Sequence, residues 1–164
     1  MKFDQKWLQD QGFEGFQPIS QLNDSLSSIP KDMGVYVLLM QTSTKPNFIE
    51  LGTGGHFKGR NPNVSLLTLE SQWVSNTNVV YIGKAGGTGS SATLYSRLKQ
   101  YLKFGQGKPV GHWGGRFVWQ IRESKDILVC WKVTINQEPR IVEKDLLIEF
   151  ISIFGKLPYA NLTI

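Results

Sequence analysis

The sequence predicts a single α/β (α+β) domain, in which a small, mixed, mainly antiparallel β-sheet is flanked by helices. Two apolar stretches, Gly34–Met40 and Val79–Ile82, are rich in β-branched and aromatic residues, as buried strands are. Two others, Thr93–Leu102 and Pro139–Phe154, carry apolar residues at helical spacing. The chain has 164 residues, which is long enough for one hydrophobic core and short for two.

The composition is that of an ordinary globular protein with an excess of basic residues. The formal net charge is +5, which favours nucleic acid or another polyanion as a partner. No apolar run approaches membrane-spanning length, and the N-terminus lacks the apolar centre of a signal peptide. Cys130 is the only cysteine, which excludes a disulfide framework. Its apolar neighbours favour a small, buried side chain over a reactive thiol. A cytoplasmic protein with no membrane partner is therefore expected.

The first part of the chain predicts one helix and two strands. Residues 1–33 are a polar lead-in expected to pack on the domain, with a short helix near Asp4–Gln11. Gly34–Met40 has almost no polar position, so both of its faces should be covered. Thr42–Asn47 supplies turn residues, and Phe48–Gly52 is the expected hairpin partner of the first strand.

The middle of the chain predicts a helix, a strand and two glycine-rich loops. Gly52–Asn63 is either a surface loop or a contact with a phosphate backbone, and Leu66–Trp73 has the spacing of a short helix. The strand Val79–Ile82 leads through a Gly/Ser turn to a helix capped by Thr93.

The last third predicts a loop, a hairpin and a helix. Gly105–Arg116 either contacts phosphate and base or crosses the fold around a buried Trp113. Phe117–Ile121 and Ile127–Val133 are typical of two strands that form a hairpin. A final helix begins at Pro139 and is closed by Gly155.

Positive charge is concentrated in the centre of the chain. The segment from residue 71 to residue 122 has seven basic residues and no Asp or Glu. Such a one-sided distribution indicates an anionic partner. The basic residues are Lys84, Arg97, Lys99, Lys103, Lys108, Arg116 and Arg122.

Two tripeptides in predicted strands carry a resemblance to a known family. Gly34-Val35-Tyr36 and Tyr81-Ile82-Gly83 resemble the two half-motifs of the GIY-YIG nucleases, and a helix with Arg97, a helix with acidic residues and Asn161 follow in the family's order. The resemblance covers roughly residues 33–162, and the run from Tyr81 to Tyr101 is especially similar to the nuclease domain of the bacterial excision-repair incision subunit. It implies a nuclease domain over 34–164.

One departure from the family pattern lies between the two tripeptides. Tyr36 and Tyr81 are separated by far more than the hairpin of the compact pattern, so an insertion is expected around 41–78. This elaboration resembles the restriction-enzyme branch of the family.

The resemblance implies hydrolysis of DNA phosphodiesters with Mg²⁺ or Mn²⁺ held by a single Glu. Arg97 would neutralise charge in the transition state, while Tyr36 and Tyr81 would orient or deprotonate the attacking water. A tyrosine base needs a pKa below about 10, which Lys84, Arg97 or the metal would supply. Tyr101 is a second candidate for proton transfer.

Two glutamates compete for the role of metal ligand. The spacing back from Asn161 in the repair-subunit pattern selects Glu149. Amphipathicity instead favours Glu143, because it falls on the apolar stripe of the helix with Leu147 and Phe150, whereas Glu149 falls on the polar stripe. A carboxylate facing inward would be costly without a cation, so Glu143 is the preferred ligand.

The expected partner is DNA, which could be duplex, branched or single-stranded, and the oligomeric state stays open, a homodimer included. The alternative is a non-catalytic nucleic-acid-binding module that retains the fold. A nucleotide-binding protein is disfavoured because the Gly86–Ser91 loop lacks P-loop spacing. The residues expected to bind substrate are Gly83, Lys84, Lys99, Lys108, His112, Arg116 and Asn161.

Overall fold

The computed structural model describes all of residues 1–164 as five α-helices and four β-strands. The strands are β1 (Glu14–Pro18), β2 (Gly34–Leu39), β3 (Val79–Ala85) and β4 (Leu128–Val133). The helices are α1 (Gln5–Asp10), α2 (Ile19–Asp24), α3 (Leu66–Gln72), α4 (Leu94–Gly105) and α5 (Pro139–Phe154). Short 3₁₀ turns lie at Phe57–Gly59, Arg116–Gln120 and Ser124–Asp126. None of the helices combines the length and the apolar character needed to cross a membrane.

The four strands form one sheet in the order β1-β4-β2-β3, and every neighbouring pair is antiparallel. This arrangement confirms the predicted fold class of a small sheet flanked by helices, with a sheet that is antiparallel throughout. β2 is central, and its Tyr36 lies opposite Gly83 on one side and Trp131 on the other. β3 is an edge strand, which leaves its outer backbone groups to be satisfied by other parts of the chain.

Both faces of β2 are covered, as its sequence predicts. Alternate residues from Val35 to Leu39 join a core with Phe150 of α5 and with the aromatic residues near the N-terminus. Tyr36 and Leu38 point to the opposite core, which contains Leu98 and Tyr101 of α4. All six residues of the strand are buried, so the continuous apolar run reflects burial on both faces.

The ends of the two long helices agree with their sequence signals. The Thr93 hydroxyl accepts a hydrogen bond from the Ser96 amide at 3.0 Å, and the Ser96 hydroxyl accepts one from the Thr93 amide at 2.9 Å. This reciprocal pair is a capping box at the start of α4. Pro139 occupies the first position of α5, and Gly155 ends the helix in the left-handed conformation with φ of 81°.

The first 33 residues are part of the sheet and not only a lead-in packed on it. The predicted helix is present as α1, but β1 and α2 were not predicted. β1 pairs with β4 across a bulge between Gly15 and Gln17, and it contains both Gly15 and Pro18. Its sequence lacks an alternating apolar pattern. It is a strand because it pairs with β4, and local propensity alone would not predict it.

Two predicted strands are wrong. Phe48–Gly52 does not form a hairpin with β2, and its only strand-like contact is an isolated bridge between Phe48 and Ile121. Phe117–Ile121 is largely a 3₁₀ turn, so the expected hairpin with β4 does not exist. Short apolar runs buried on all sides have the same composition in either conformation, which is why periodicity did not distinguish them. The helix predicted at Leu66–Trp73 is confirmed as α3.

Candidate functional site

Side chains from two strands and two helices meet in one cleft at the β3 edge of the sheet. The cleft has a volume of about 370 Å³. Five of the predicted site residues line it, together with small residues of the turn that follows β3. The five are Tyr36 of β2, Tyr81 and Lys84 of β3, Arg97 of α4 and Glu143 of α5.

Gly83 makes room for Tyr36 and is not itself exposed to a substrate. The two residues are opposite each other in the sheet, and a Cβ atom at Gly83 would lie 2.5 Å from Cζ of Tyr36. The Tyr36 ring therefore lies directly over the backbone of β3. Because Gly83 is buried, its predicted role in substrate binding is replaced by one in positioning the tyrosine.

The two tyrosines form a buried pair at the base of the cleft. Their ring centroids are 6.1 Å apart, and the exposed fractions are 1% for Tyr36 and 8% for Tyr81. Burial raises the pKa of Tyr36 well above its ordinary value. Burial and the charge of Glu143 raise the pKa of Tyr81 to about 12, against the lowering effect of Arg97. Arg97 lowers the pKa of both tyrosines, as a neighbouring cation should, but burial outweighs this effect.

Glu143 is the only acidic residue that lines the cleft. Its side chain is half-buried and makes no hydrogen bond or ion pair with the protein. Burial raises the pKa of Glu143, although Lys84, Arg140 and Arg97 oppose the rise. An unpaired carboxylate held in this environment is costly, and its charge can be balanced by a bound cation.

Glu149 lies outside the cleft. Its carboxylate is hydrogen-bonded to Nζ of Lys2 at 2.7 Å, and it does not line the cleft. Of the two alternatives, Glu143 is therefore the one that shares a cavity with Arg97 and the tyrosines.

The site offers a single carboxylate to a metal ion. Nowhere in the chain do three or more His, Cys, Asp or Glu side chains lie together in a way that could hold a metal ion. Mg²⁺ keeps several of its waters and can be bound through one carboxylate together with substrate phosphates. Glu143, with its free carboxylate oxygens facing the cleft, fits this mode of binding.

Two cations that line the cleft act on this carboxylate. Arg97 lies in the first turn of α4, and its Nη1 contacts the Gln100 side chain at 3.4 Å. Neither Arg97 nor Lys84 forms an ion pair with an acid by direct contact, and both favour the charged form of Glu143. Their charges are available to an anionic ligand.

Glu138, which the sequence did not single out, holds the turn that borders the cleft. Its carboxylate accepts hydrogen bonds of 3.0 Å from both the amide and the hydroxyl of Thr88. The contact ties the Gly/Ser turn after β3 to the start of α5, and so to Glu143 one turn further on. The only signal in the sequence is the position of Glu138 immediately before the helix-starting Pro139.

Tyr101 and His112 lie behind the cleft and not in it. Both are fully buried, with their ring centroids 4.4 Å apart. The Tyr101 hydroxyl donates a hydrogen bond to the Gly115 carbonyl oxygen at 2.7 Å, and burial raises its pKa well above the ordinary value. The predictions of proton transfer by Tyr101 and substrate contact by His112 are therefore corrected, because the folding of loop 111–116 over α4 removes both rings from solvent.

Asn161 also has a structural partner. Its side-chain oxygen accepts a hydrogen bond from the Ile82 amide at 2.9 Å, and its nitrogen donates one to the Ile82 carbonyl oxygen at 2.8 Å. These bonds commit its side-chain polar atoms to the edge of β3. Asn161 also lines the cavity of about 350 Å³ beside the cleft, so its contact with a substrate stays a prediction.

The remaining predicted substrate contacts differ in their positions. Lys99 and Lys108 line neither the cleft nor the cavity beside it. Lys99 lies with its ammonium 5.9 Å from the Tyr95 ring centroid, and Lys108 is exposed. Arg116 lines a cavity of about 350 Å³ that shares Tyr81 and Glu143 with the cleft. Arg116 is thus the one of the three that borders the site.

Comparison with protein-family models, with curated proteins and with solved structures finds no match to this chain.

Proposed function

We propose that the protein is a metal-dependent endonuclease that hydrolyses DNA phosphodiester bonds, as its resemblance to the GIY-YIG nucleases implies. The observation that carries the proposal is the convergence of Tyr36, Tyr81, Lys84, Arg97 and Glu143 on one cleft. These residues are spread over 108 positions of the sequence, from Tyr36 to Glu143. They combine two cations, one unpaired carboxylate and two phenols. These groups can stabilise negative charge, hold a metal ion and orient water, as the hydrolysis of an anionic diester requires.

In this proposal Arg97 and Lys84 bind the scissile phosphate. Their charges face the cleft without an acidic partner in direct contact, so a phosphate oxygen can accept hydrogen bonds from both. As the phosphorus gains a fifth oxygen, negative charge accumulates on the non-bridging oxygens. Arg97 is held by the rigid first turn of α4 and can stabilise that charge without rearrangement.

Tyr36 and Tyr81 hold the attacking water in line with the scissile bond. With a pKa of about 12 the Tyr81 hydroxyl stays protonated at neutral pH, so it acts as a hydrogen-bonding group that orients water. Burial and the neighbouring Tyr81 also raise the pKa of Tyr36, whose hydroxyl supports the same role.

Glu143 would hold Mg²⁺ or Mn²⁺ through its free carboxylate. A bound ion would polarise a phosphate oxygen as a Lewis acid and would stabilise the leaving oxygen. The pKa of Glu143 is raised by burial, so its ionised form destabilises the folded protein at neutral pH. A residue that costs stability in this way is a mark of a functional site.

The lone, buried Cys130 thiol needs no oxidising compartment, and we infer that the enzyme acts in the cytoplasm.

The proposal is tested by nicking of supercoiled plasmid in Mg²⁺, Mn²⁺ or EDTA. We expect metal-dependent nicking by the wild-type protein and a loss of about 100-fold or more for Glu143→Gln and for Arg97→Gln. Glu149→Gln is the matched control, because it removes a carboxylate from the same helix outside the cleft. The control should nick at the wild-type rate.

Stability measurements separate a catalytic from a structural effect. Glu143→Gln removes a carboxylate whose ionisation opposes folding, so its free energy of unfolding at pH 7 should equal or exceed that of the wild type. Loss of nicking by Glu149→Gln alone would assign the metal to that residue. If folded wild-type protein binds plasmid, branched and single-stranded DNA but cuts none, the protein is a non-catalytic nucleic-acid-binding module.

A further inference from the structure

Two glycine-rich segments that are about fifty residues apart in sequence lie against each other beside the cleft. The Thr53 amide donates a hydrogen bond to the Trp119 carbonyl oxygen at 3.0 Å, and the Gly55 amide donates one to the Phe104 carbonyl oxygen at 2.9 Å. The segment inserted between β2 and β3 is thereby attached to the end of α4 and to the 3₁₀ turn Arg116–Gln120, on either side of the loop between them. Together they present one basic surface, to which the insertion contributes Arg60.

Two arginines, one from each segment, lie over the same indole ring. The guanidinium carbon of Arg60 is 4.4 Å from the ring centroid of Trp113, and that of Arg116 is 4.6 Å from it. Stacking uses the flat face of a guanidinium and leaves the N–H groups at its edge free. Neither side chain makes a hydrogen bond or an ion pair with the protein, so these donors are available to a ligand.

The pair of like charges lacks a counter-charge. Burial lowers the pKa of Arg116, and the charge of Arg60 lowers it further. Two cations held against one ring repel each other, and a bound anion would offset this repulsion. Phosphate oxygens match the spacing of guanidinium N–H groups, which favours a phosphate over a simple halide.

The cluster adjoins the proposed catalytic site. Arg116 lines the cavity of about 350 Å³ that Tyr81 and Glu143 also line. A strand whose scissile phosphate lies at Arg97 can therefore continue past Glu143 towards Arg116. Because the guanidinium groups already lie over Trp113, backbone phosphate and not a stacked base is the expected ligand.

We propose that Arg60, Trp113 and Arg116 form a phosphate-binding site for a flanking segment of the DNA backbone, which positions the strand in the cleft. This inference rests on the proposed function in taking DNA as the substrate. It gives the inserted segment a role in DNA binding through Arg60, which is exposed.

The test is DNA binding as a function of salt, measured by fluorescence anisotropy with a labelled 20-mer duplex and a labelled single strand. All proteins carry Glu143→Gln, so cleavage does not interfere. The slope of log affinity against log salt is negative, and removing one phosphate contact should decrease its magnitude by about 0.9 for duplex and about 0.7 for single-stranded DNA. We expect this decrease for Arg60→Gln and for Arg116→Gln.

The matched control is Lys6→Gln, which removes the same charge from an exposed position of α1. It should leave the slope unchanged, whereas a pure net-charge effect would alter all three variants equally. Arg116→Lys keeps the charge but loses the planar fork, so its affinity should fall between those of the parent and Arg116→Gln. Unfolding curves confirm that each variant is folded.

The two proposals fail in different ways. If Arg60→Gln and Arg116→Gln bind DNA with the slope and affinity of the parent, or the parent binds no DNA, the site is overturned. If both variants bind more weakly but the protein without Glu143→Gln cuts no DNA, the phosphate site stands and the nuclease proposal falls. Nicking by the wild type together with unchanged binding by both variants would overturn only the phosphate site.

Discussion

Asn161 satisfies the open edge of β3 in the way that a further strand would. Its amide group exchanges two hydrogen bonds with the backbone of Ile82, at 2.9 and 2.8 Å, and the Ala160 amide donates to the Val80 carbonyl oxygen at 2.8 Å. Since Tyr81 lies between these two contacts, the end of the chain fixes the strand that presents Tyr81 to the cleft. Asn161 is 7% exposed, so water cannot replace its hydrogen bonds without local opening.

We expect Asn161→Ala to lower the free energy of unfolding by about 2–4 kcal/mol, because it leaves the amide and carbonyl of Ile82 without partners. Urea unfolding at pH 7 measures this loss. Thr163→Ala, at an exposed position two residues further on, is the control and should change stability little. A stable Asn161→Ala variant with weakened DNA binding would instead show that Asn161 contacts the substrate.

At the scale of elements, one glutamine holds the inserted segment in place. Gln120 is 1% exposed, and its side-chain oxygen accepts a hydrogen bond from the Val64 amide at 2.9 Å. Its nitrogen donates to the carbonyl oxygens of Ile49 at 3.1 Å, Glu50 at 3.2 Å and Val64 at 2.9 Å. The insertion has no strand that pairs with the sheet. The hydrogen bonds of Gln120 therefore hold its backbone in place, as the bonds between paired strands do in the sheet.

Gln120→Leu should release the inserted segment. The change leaves up to four backbone groups of the insertion without their side-chain partner, and we expect a loss of about 2–4 kcal/mol in unfolding free energy. Each kcal/mol corresponds to about 2–4 °C in Tm for a domain of this size. Limited trypsin digestion should cut faster after Lys58 and Arg60, and Gln9→Leu, an exposed change on α1, should not alter digestion. Equal digestion of both variants would mean that other contacts hold the segment.

Elements with strong local signals were predictable, and those made by tertiary pairing were not. β2 and the first four residues of β3 are continuous apolar runs, and α5 begins at a proline and ends at a glycine, so the sequence predicts these elements. β3 continues to Ala85, three residues beyond its predicted end. β1 is a strand because it pairs with β4. The run at Phe117–Ile121 is largely a 3₁₀ turn, in which the side chain of Gln120 is hydrogen-bonded to the backbone of the insertion and the run does not pair with β4. Neither cause is visible in the local composition.

The same division applies to the candidate site. Tyr36, Tyr81, Lys84, Arg97 and Glu143 were expected to converge, and they do line one cleft. Tyr101 and His112 were misplaced because their exposure depends on how loop 111–116 folds over α4, which composition does not determine. Arg60 lies in the predicted loop Gly52–Asn63, and its contact with Trp113 is not predictable because Trp113 is far away in sequence.

At the scale of the whole molecule, the basic centre of the chain stays unneutralised. The ion pairs are between residues outside segment 71–122: the N-terminus with Asp4, Lys2 with Glu149, Lys6 with Asp10, and Lys45 with Glu70. None of the seven basic residues of that segment forms one. The acidic residues that form ion pairs thus lie away from the cleft, where Glu143 is the only acid beside Lys84 and Arg97. The basic segment therefore keeps a positive field for an anionic ligand.

This positive field also bears on the stability of the protein in acid, through His112. The ring is fully buried, and neither of its nitrogens has a hydrogen-bond partner. Burial, and then the charge of Arg97, lower the pKa of His112 to about 3. The unfolded chain, with an ordinary pKa near 6.5, binds a proton that the folded protein excludes. Stability is therefore complete above about pH 6.5 and declines as the pH falls towards 3.

His112→Phe should remove this decline while keeping an aromatic ring against Tyr101. Between pH 7.5 and pH 5 we expect the wild type to lose about 2 kcal/mol more unfolding free energy than the variant, as measured by urea unfolding at both pH values. The comparison uses only the change in unfolding free energy between pH 7.5 and pH 5. An effect of the substitution on packing that is the same at both pH values therefore cancels. His56→Gln, an exposed change on the inserted segment, should follow the wild type. Parallel pH dependence in wild type and His112→Phe would mean that the buried ring accepts a proton in the folded protein, and that loop 111–116 opens to admit it.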